Sequence, residues 1–262
     1  MTVRVPTGAW QRDWIRRHGG ASDSKVTVRY VQTPSAFGDV RIPKDRPDTT
    51  GAASFADLSD DQLAALARQN GFAGYTTVDG VNATCHHELD FQPSGGESDI
   101  GRIEPDGEGK MLEHALDDSY VESWSAIGRD GGKFFVVKVA RGDRVDQLLA
   151  VAGEHFVYAR ARATPLPAAD SIADAIAKNH PTRDTIIAYL DCEISYGTVP
   201  GWHVELSTLP WQEGKRLAFV DRITVGASGQ PAPRVPSTGE AWSFPVNTFG
   251  AADLRVLFAA PR

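Results

Sequence analysis

The sequence predicts an all-β protein, a closed antiparallel β-barrel with two short peripheral helices. Three observations predict this fold. Hydrophobic residues alternate with a period of two along most of the chain, turn-forming residues separate these stretches, and helical periodicity is confined to two short segments. An open sheet of so many strands would expose its hydrogen-bonding edges, so the strands are expected to close into a barrel.

The two helices are marked by capping and stopping residues. Ser59 is placed to cap the first helix while the side chain of Gln62 reaches back to it, which is the reciprocal pattern of a capping box. This pattern predicts a short helix over Asp60–Asn70. The second helix is predicted over Asp170–Asn179, where Pro181 stops it.

The rest of the chain is predicted to form strands. In order, the predicted strands are Val26–Thr33, Phe37–Pro43, Gly74–Val78, Val81–Gln92, Ile100–Glu104, Met111–Leu116, Tyr120–Ala126, Phe134–Val139, Leu148–Ala163, Ile186–Ser195, Trp202–Thr208, Arg216–Val225 and Leu254–Ala259. Turn residues predict hairpins at Thr33–Ala36, Val78–Gly80, Pro105–Gly107 and Arg129–Gly132.

No sharp domain boundary interrupts these strands. The segment Ala227–Gly239 is rich in Pro, Gly and Ser, but too little chain follows it to form a second domain, so it is predicted to be a surface loop. Residues 1–262 are therefore expected to form one barrel domain with an N-terminal extension.

The charge of the chain argues against two classes of partner. The 34 acidic and 27 basic residues give a net charge of −7, and no basic cluster is longer than Arg16-Arg17. Such a surface repels phosphate backbones and anionic lipids, so neither nucleic acid nor a membrane is an expected partner. A small-molecule ligand is expected instead, and a homodimer is the assembly considered.

Targeting and redox signals are also missing from the sequence. Met1–Gly20 contains several charged residues and lacks the apolar stretch of a secretory signal, and no segment approaches the length of a membrane span. Cys85 and Cys192 have neither metal-binding nor redox spacing. The sequence thus predicts a cytoplasmic protein without a cofactor.

The first hairpin supplies the first candidate ligand-binding residues. Pairing it around a three-residue loop places Arg29 opposite Arg41, with Asp39 beside them on the same face. Two guanidinium groups that share one carboxylate retain donors for an anionic ligand. The alternative is a charge cluster exposed to solvent on the outside of the barrel.

A histidine and two carboxylates on one strand supply the candidate catalytic residues. Strict alternation along Val81–Gln92 places His86, Glu88 and Asp90 on one face, where they could exchange protons with a substrate. A metal site would need ligands from a second element. The alternative is a polar face turned to solvent.

A third set of candidates comes from the segment after Glu154. Tyr158, Arg160 and Arg162 share one face, where a ring could stack on a planar ligand and the guanidinium groups could hold its acidic end. The opposite face carries small apolar residues suited to packing under a helix or another strand. Arginines that cover aromatic rings at the surface are the alternative.

Tryptophans complete the candidate pocket. The chain has 6 of them, of which Trp124 and Trp202 are the candidates to flank an apolar ligand, although tryptophans in this number also suit an ordinary core. A phosphate-binding loop, a nucleophile elbow and a zinc-protease motif are all absent from the sequence.

Several strings resemble an uncharacterised family of bacterial lipocalin-like proteins. They are Val31-Gln32-Thr33, Phe37-Gly38-Asp39-Val40-Arg41-Ile42-Pro43, Gln69-Asn70-Gly71-Phe72-Ala73-Gly74, Leu89-Asp90-Phe91-Gln92-Pro93, Asp99-Ile100-Gly101 and Tyr120-Val121-Glu122-Ser123-Trp124. The resemblance covers about the first two thirds of the chain and implies a calycin-type barrel with a ligand-sized interior. It implies no catalytic residues. Cys85 and His87 stand where the family is associated with Trp and Arg.

These candidate residues lead to two hypotheses about function, a binding protein and an enzyme. The leading hypothesis is that the barrel binds a small apolar or aromatic molecule with an acidic group, anchored by arginines and flanked by aromatic rings. The alternative is a cofactor-independent lyase, isomerase or hydrolase in which His86 acts as acid or base and Glu88 or Asp90 orients it. Binding of haem or a metal through His86 or His87 is the least favoured.

Overall fold

The protein is mainly β in the computed structural model, which describes residues 6–93, 99–128, 130–199 and 201–259. Its strands are β1 (Gly8–Arg17), β2 (Ser22–Asp23), β3 (Val26–Gln32), β4 (Phe37–Pro43), β5 (Asn70–Asp79), β6 (Asn82–Asp90), β7 (Asp99–Pro105), β8 (Lys110–Ala115), β9 (Tyr120–Gly128), β10 (Phe134–Arg141), β11 (Arg144–Ala152), β12 (His155–Arg160), β13 (Glu193–Thr198), β14 (His203–Ser207), β15 (Ile223–Val225), β16 (Pro231–Pro233) and β17 (Ala241–Asn247). Its α-helices are α1 (Asp60–Leu66), α2 (Ile172–Asn179), α3 (Arg183–Leu190) and α4 (Ala251–Leu257).

Eight antiparallel strands, β1 and β3 to β9, form the barrel. Strand β1 pairs with β3 on one side and with β9 on the other, which closes the sheet and confirms the predicted closed barrel. The sequence had assigned β1 to an N-terminal extension. The alternation of hydrophobic and polar residues is weak in β1 because its inner face carries the charged Arg12 as well as Trp10. Arg12 pairs there with the carboxylate of Glu122.

A second, six-stranded sheet follows the barrel, in the order β14-β13-β12-β11-β10-β17. The sequence had predicted these strands as parts of the barrel. The predicted hairpin at Arg129–Gly132 is wrong, because β9 and β10 belong to different sheets and do not pair. The segment is instead the connection between the two sheets, and Arg129 itself lies outside the described residues.

The barrel packs its outer face onto one face of this sheet. Val31 and Val40 of the barrel share a buried core with Val157 and Ala159 of β12, which confirms that the small apolar face of this segment packs against another strand. The approach is closest at Gly38, where a Cβ atom would lie 2.3 Å from Cγ1 of Val157. Only glycine fits at this point of the interface.

The other face of the second sheet is covered by the C-terminal part of the chain. Trp202 and Phe258 pack there against Phe135 and Phe156. Helix α4 occupies most of the predicted strand Leu254–Ala259, and helix α3 replaces the first part of the predicted strand Ile186–Ser195. Short apolar runs suit a buried helix as well as a buried strand, which explains both errors.

Three other predicted elements are refined. The first helix begins behind the predicted capping box of Ser59 and Gln62 and ends at Leu66. The predicted strand Leu148–Ala163 is two strands joined by a turn at Gly153, and the segment from Arg216 forms a 3-10 turn before β15. Among the described residues, the helices are all too short or too polar to span a membrane.

Candidate functional site

The interior of the barrel holds the candidate site. Aromatic and aliphatic side chains fill much of it, among them Trp10, Tyr30, Phe37, Phe72, Met111 and Trp124. They leave a cavity of about 40 Å³. Its polar border is formed by Tyr30, Asp39, Arg41, Thr76, Asp99 and Glu113.

The register of the first hairpin decides which charged residues reach this cavity. Tyr30 pairs with Asp39 and Val28 pairs with Arg41, so Asp39 and Arg41 point into the barrel. The predicted register is wrong by one residue, because the loop contains four residues instead of three. A shift of one residue moves a side chain to the other face, and Arg29 therefore lies outside the barrel, over the ring of Tyr196 in the second sheet.

Arg41 and Asp39 form a bidentate ion pair at the cavity wall. Nε and Nη2 of Arg41 donate to the two carboxylate oxygens of Asp39 at 2.9 and 3.0 Å. Asp39 is buried, whereas 24% of the Arg41 side chain is exposed, and its guanidinium group lies 4.9 Å from the centre of the Phe72 ring. Nε and Nη2 of Arg41, two of the donors that were expected to hold an anionic ligand, are thus engaged within the protein.

A β-bulge reorganises the predicted catalytic strand. Ala73 of β5 pairs with Leu89 and Gly74 pairs with His87, so Glu88 has no partner residue on β5. The extra residue reverses the alternation, and His87 and Asp90 come to lie on the interior side together. Strict alternation had placed Asp90 on the face of His86 and Glu88.

His87 is held as a cation between two carboxylates. Its Nδ1 lies 2.7 Å from Asp90 Oδ1 and its Nε2 lies 3.2 Å from Asp99 Oδ2, while the ring stacks on Phe72 at 4.1 Å. Burial by itself would lower the pKa of His87, but hydrogen bonds to both carboxylates raise this pKa to about 9. With both ring nitrogens engaged and protonated at neutral pH, His87 is a poor general base.

The predicted catalytic residues are not brought together. His86 hydrogen-bonds through Nε2 to Thr77 Oγ1 at 2.8 Å and stacks on Tyr75. Glu88 accepts a hydrogen bond of 2.5 Å from Nζ of Lys138 in the second sheet. Of the three, Asp90 pairs with the cavity residue Phe72 and contacts His87, but it does not itself line the cavity.

Glu113 is the residue that the sequence reasoning missed. Its carboxyl group borders the cavity, and none of the hydrogen bonds or ion pairs among the described residues involves it. The side chain lies over Gly101, where a Cβ atom would be 2.6 Å from Glu113 Oε1. Burial, followed by the charges of Glu122 and Asp99, raises the pKa of Glu113, so this carboxyl group can take up or release a proton closer to neutral pH than an ordinary glutamate.

A clear sequence signal for Glu113 was available. Strand β8 alternates, and Met111 and Glu113 share its inner face opposite Trp124 and Glu122 of β9. A charged residue in phase with buried apolar residues on a barrel strand is a candidate interior group.

Trp124 borders the cavity with an unsatisfied donor. Its side chain is only 2% exposed, and its indole N–H has no hydrogen-bond partner among the described residues. The ring contacts Tyr30, with 5.8 Å between ring centres. Buried donors are nearly always paired, so this N–H is expected to have an acceptor, such as a water molecule or a ligand atom, as its partner.

The remaining predicted ligand-binding residues lie in or next to the second sheet. The Tyr158 hydroxyl donates to Gln147 at 3.0 Å, and the Trp202 indole N–H donates to a backbone carbonyl at 2.7 Å. Arg160 forms an ion pair of 2.6 Å with Asp191. None of these side chains borders the barrel cavity.

Arg162 cross-links the barrel to the second half of the chain. Its guanidinium group donates to the backbone carbonyls of Asp90, Phe91 and Tyr189, and 9% of the residue is exposed. Burial lowers the pKa of Arg162. Its donors are used in holding the two parts of the fold together.

The structure therefore unites Asp39, Arg41 and Trp124 of the predicted ligand-binding set, and adds Tyr30 and Glu113 to them. Within the described part of the chain, no group of three or more His, Cys, Asp and Glu residues is arranged to hold a metal ion.

Comparisons with known proteins give no functional information. No family model matches the chain, and no curated protein matches it. A solved structure of an uncharacterised protein from Bacteroides eggerthii matches 46% of this chain and 98% of its own, with 11% identity and a TM-score of 0.29. The TM-score is too low for this similarity to support an inference about the protein.

Proposed function

We propose that the protein binds a small molecule inside the barrel. The observation that carries this proposal is an interior cavity lined by Trp124, a residue whose buried indole N–H has no hydrogen-bond partner among the described residues. Leaving such a donor unpaired costs about 1 to 3 kcal/mol, and a ligand oxygen in the cavity would remove this cost. Ligand binding inside a barrel is also what the resemblance to lipocalin-like proteins implies.

The cavity limits the size of the ligand. Its volume of about 40 Å³ compares with the roughly 10 to 15 Å³ that one water molecule needs by the same kind of measure. The free space thus suits a molecule of only a few non-hydrogen atoms. A larger ligand would require a partly exposed wall residue such as Arg41 to move.

The acidic group expected on the ligand has weaker support than the binding site. That expectation relied on four arginines sharing one pocket, and of these Arg41 alone borders the cavity. Arg41 is already paired with Asp39. The proposal therefore concerns a small molecule with at least one hydrogen-bond acceptor, and its charge is a separate question.

Mass spectrometry tests the proposal. The purified protein is weighed under native and then denaturing conditions, and we expect an excess native mass that disappears on denaturation. Ala83 borders the cavity, so Ala83→Val should fill it and abolish the excess mass. Thr84→Val, which changes the neighbouring residue on the outer face of β6, should retain it.

Two results would count against interior binding. One is an excess mass that persists in Ala83→Val. The other is a bare native mass combined with unchanged stability of the protein in the presence of every compound of a small-molecule library, since a ligand that binds the folded state must stabilise it.

A cofactor-independent proton-transfer enzyme is the second candidate, and the unpaired carboxyl group of Glu113 favours it. Incubation with a metabolite mixture in D2O, followed by NMR, would reveal deuterium entering a C–H position of a substrate. We expect Glu113→Gln to stop this exchange, and Glu104→Gln, which alters an exposed carboxylate on β7, to leave it unchanged. Exchange that continues in Glu113→Gln would rule out this role of Glu113.

A further inference from the structure

The charges around the barrel cavity are unbalanced. Asp39 is neutralised by Arg41, and Glu122 is neutralised by Arg12 at 2.5 Å. The single cation His87 is shared by Asp90 and Asp99. Glu113 has no partner among the described residues. The interior thus carries more carboxyl groups than cations.

This imbalance disfavours an anionic ligand. A further negative charge would be placed next to Glu113 and Asp99 in surroundings that screen charges poorly. Arg41, the cation that lines the cavity, already has its Nε and Nη2 bound to Asp39. A cation in the cavity would instead pair with the free carboxylate of Glu113. The raised pKa of Glu113 has the same origin, because burial and neighbouring carboxylates oppose its ionisation.

Aromatic rings at the same cavity also suit a cation. Tyr30, Phe72 and Trp124 border it, and the face of Phe72 is already occupied by the Arg41 guanidinium. Tyr30 and Trp124, with ring centres 5.8 Å apart, remain to contact a ligand. An ammonium group near their faces would gain a cation–π attraction in addition to its pairing with Glu113.

The unpaired N–H of Trp124 sets a second, independent requirement. It needs an oxygen or nitrogen acceptor, which an ammonium group cannot supply. The ligand must therefore combine a cationic donor for Glu113 with a neutral acceptor for Trp124, within the few non-hydrogen atoms that the cavity admits.

We propose that the barrel binds a small amino alcohol or a similarly small amine with a neutral oxygen. Its ammonium group pairs with Glu113, and its oxygen accepts a hydrogen bond from the indole N–H of Trp124. This inference rests on the proposed function, since it assigns the chemical class of the ligand of that same site. It differs from the acidic ligand that the sequence predicted.

Four small probes separate the two requirements. Ethanolamine carries both the ammonium group and the oxygen, propylamine lacks the oxygen, ethylene glycol lacks the charge, and glycolate carries the opposite charge. Each is titrated into the 15N-labelled protein, and the indole N–H signal of Trp124, identified with the Trp124→Phe variant, reports binding.

We expect ethanolamine to shift the Trp124 signal at the lowest concentration, and the other three probes to bind about tenfold or more weaker, since each lacks or reverses one of the two interactions. Glu113→Gln should weaken ethanolamine binding by about tenfold or more, because it removes the charge without changing the shape of the side chain. Glu113→Asp keeps the charge and should stay within a few fold. Glu104→Gln is the control on the exposed side of the barrel.

The outcomes distinguish this inference from the proposed function. If glycolate or ethylene glycol shifts the Trp124 signal at lower concentration than ethanolamine, the cationic ligand is wrong while binding inside the barrel stands. Ethanolamine binding that is unaffected by Glu113→Gln would overturn the role of Glu113. If no probe moves the Trp124 signal, the amino alcohol is refuted, while the proposed function is decided separately by the native mass and the compound library.

Discussion

His87 should make the stability of the protein depend on pH. Hydrogen bonds to Asp90 and Asp99 overcome the effect of burial and raise the pKa of His87 to about 9 from its ordinary value of 6.5. Between these two pH values the folded protein holds a proton that the unfolded chain has released. The stabilisation is therefore complete below pH 6.5 and is lost as the pH rises through about 9.

The magnitude follows from the size of the pKa shift. One pKa unit corresponds to about 1.4 kcal/mol, so the rise from 6.5 to about 9 should contribute at most about 3.5 kcal/mol to the free energy of unfolding. Its side chain is 21% exposed, so screening by solvent should reduce this value only moderately.

Urea unfolding followed by circular dichroism, from about pH 6 to about pH 10, measures the effect. We expect the free energy of unfolding to fall more steeply with pH in the natural protein than in His87→Gln. His86→Gln is the matched control, since the ring of His86 lies on the outer face of the same strand. If the free energies of unfolding of the natural protein and of His87→Gln differ by a constant amount over the whole pH range, the raised pKa of His87 between Asp90 and Asp99 is refuted.

Three further predictions concern the fold. Arg162→Met should cost about 3 kcal/mol because it leaves buried carbonyls without donors, whereas Arg160→Met, which breaks a half-exposed ion pair, should cost less than about 1 kcal/mol. Gly38→Ala should cost about 1 to 3 kcal/mol through its clash with Val157, and Val157→Ala should relieve part of this cost. Ser59→Ala should destabilise α1 by about 1 kcal/mol, which hydrogen exchange would detect as faster local opening.

Each of these predictions has a result that contradicts it. Equal losses of stability in Arg162→Met and Arg160→Met would deny Arg162 its cross-linking role. Strictly additive effects of Gly38→Ala and Val157→Ala would mean that these residues are not in contact. Unchanged hydrogen exchange in Ser59→Ala would show that the capping box adds nothing to the helix.

Two small irregularities of the strands, a longer hairpin loop and a β-bulge, made the predicted faces of the site residues wrong. The sequence reasoning selected the correct hairpin but assumed a loop one residue too short, which placed Arg29 and Arg41 on the same face. It selected the correct strand for the histidines but could not foresee the bulge at Glu88, which moves Asp90 from the face of His86 to that of His87. A period of two is sensitive to a single inserted residue, and nothing local to these segments announces the insertion.

Glu113 was missed for a different reason. The search for candidates favoured clusters of polar residues within one segment, whereas Glu113 is the single carboxylate on the inner face of β8. Its partners in the cavity, Tyr30 and Trp124, come from strands that are distant along the chain and meet only because the barrel closes.

The sequence by itself determined the mainly β character of the protein, most strand positions in the barrel and the cap of the first helix, since these depend on alternation and on local hydrogen bonding. Tertiary structure decided which strands close into the barrel and which form a second sheet, and it decided which face of each strand lines the cavity. These choices depend on pairing between residues far apart along the chain, as between β1 and β9, and on contacts such as that of Gly38 with Val157. The energies of strand pairing and of side-chain packing arise only when distant segments are brought together, so no local sequence pattern contains them.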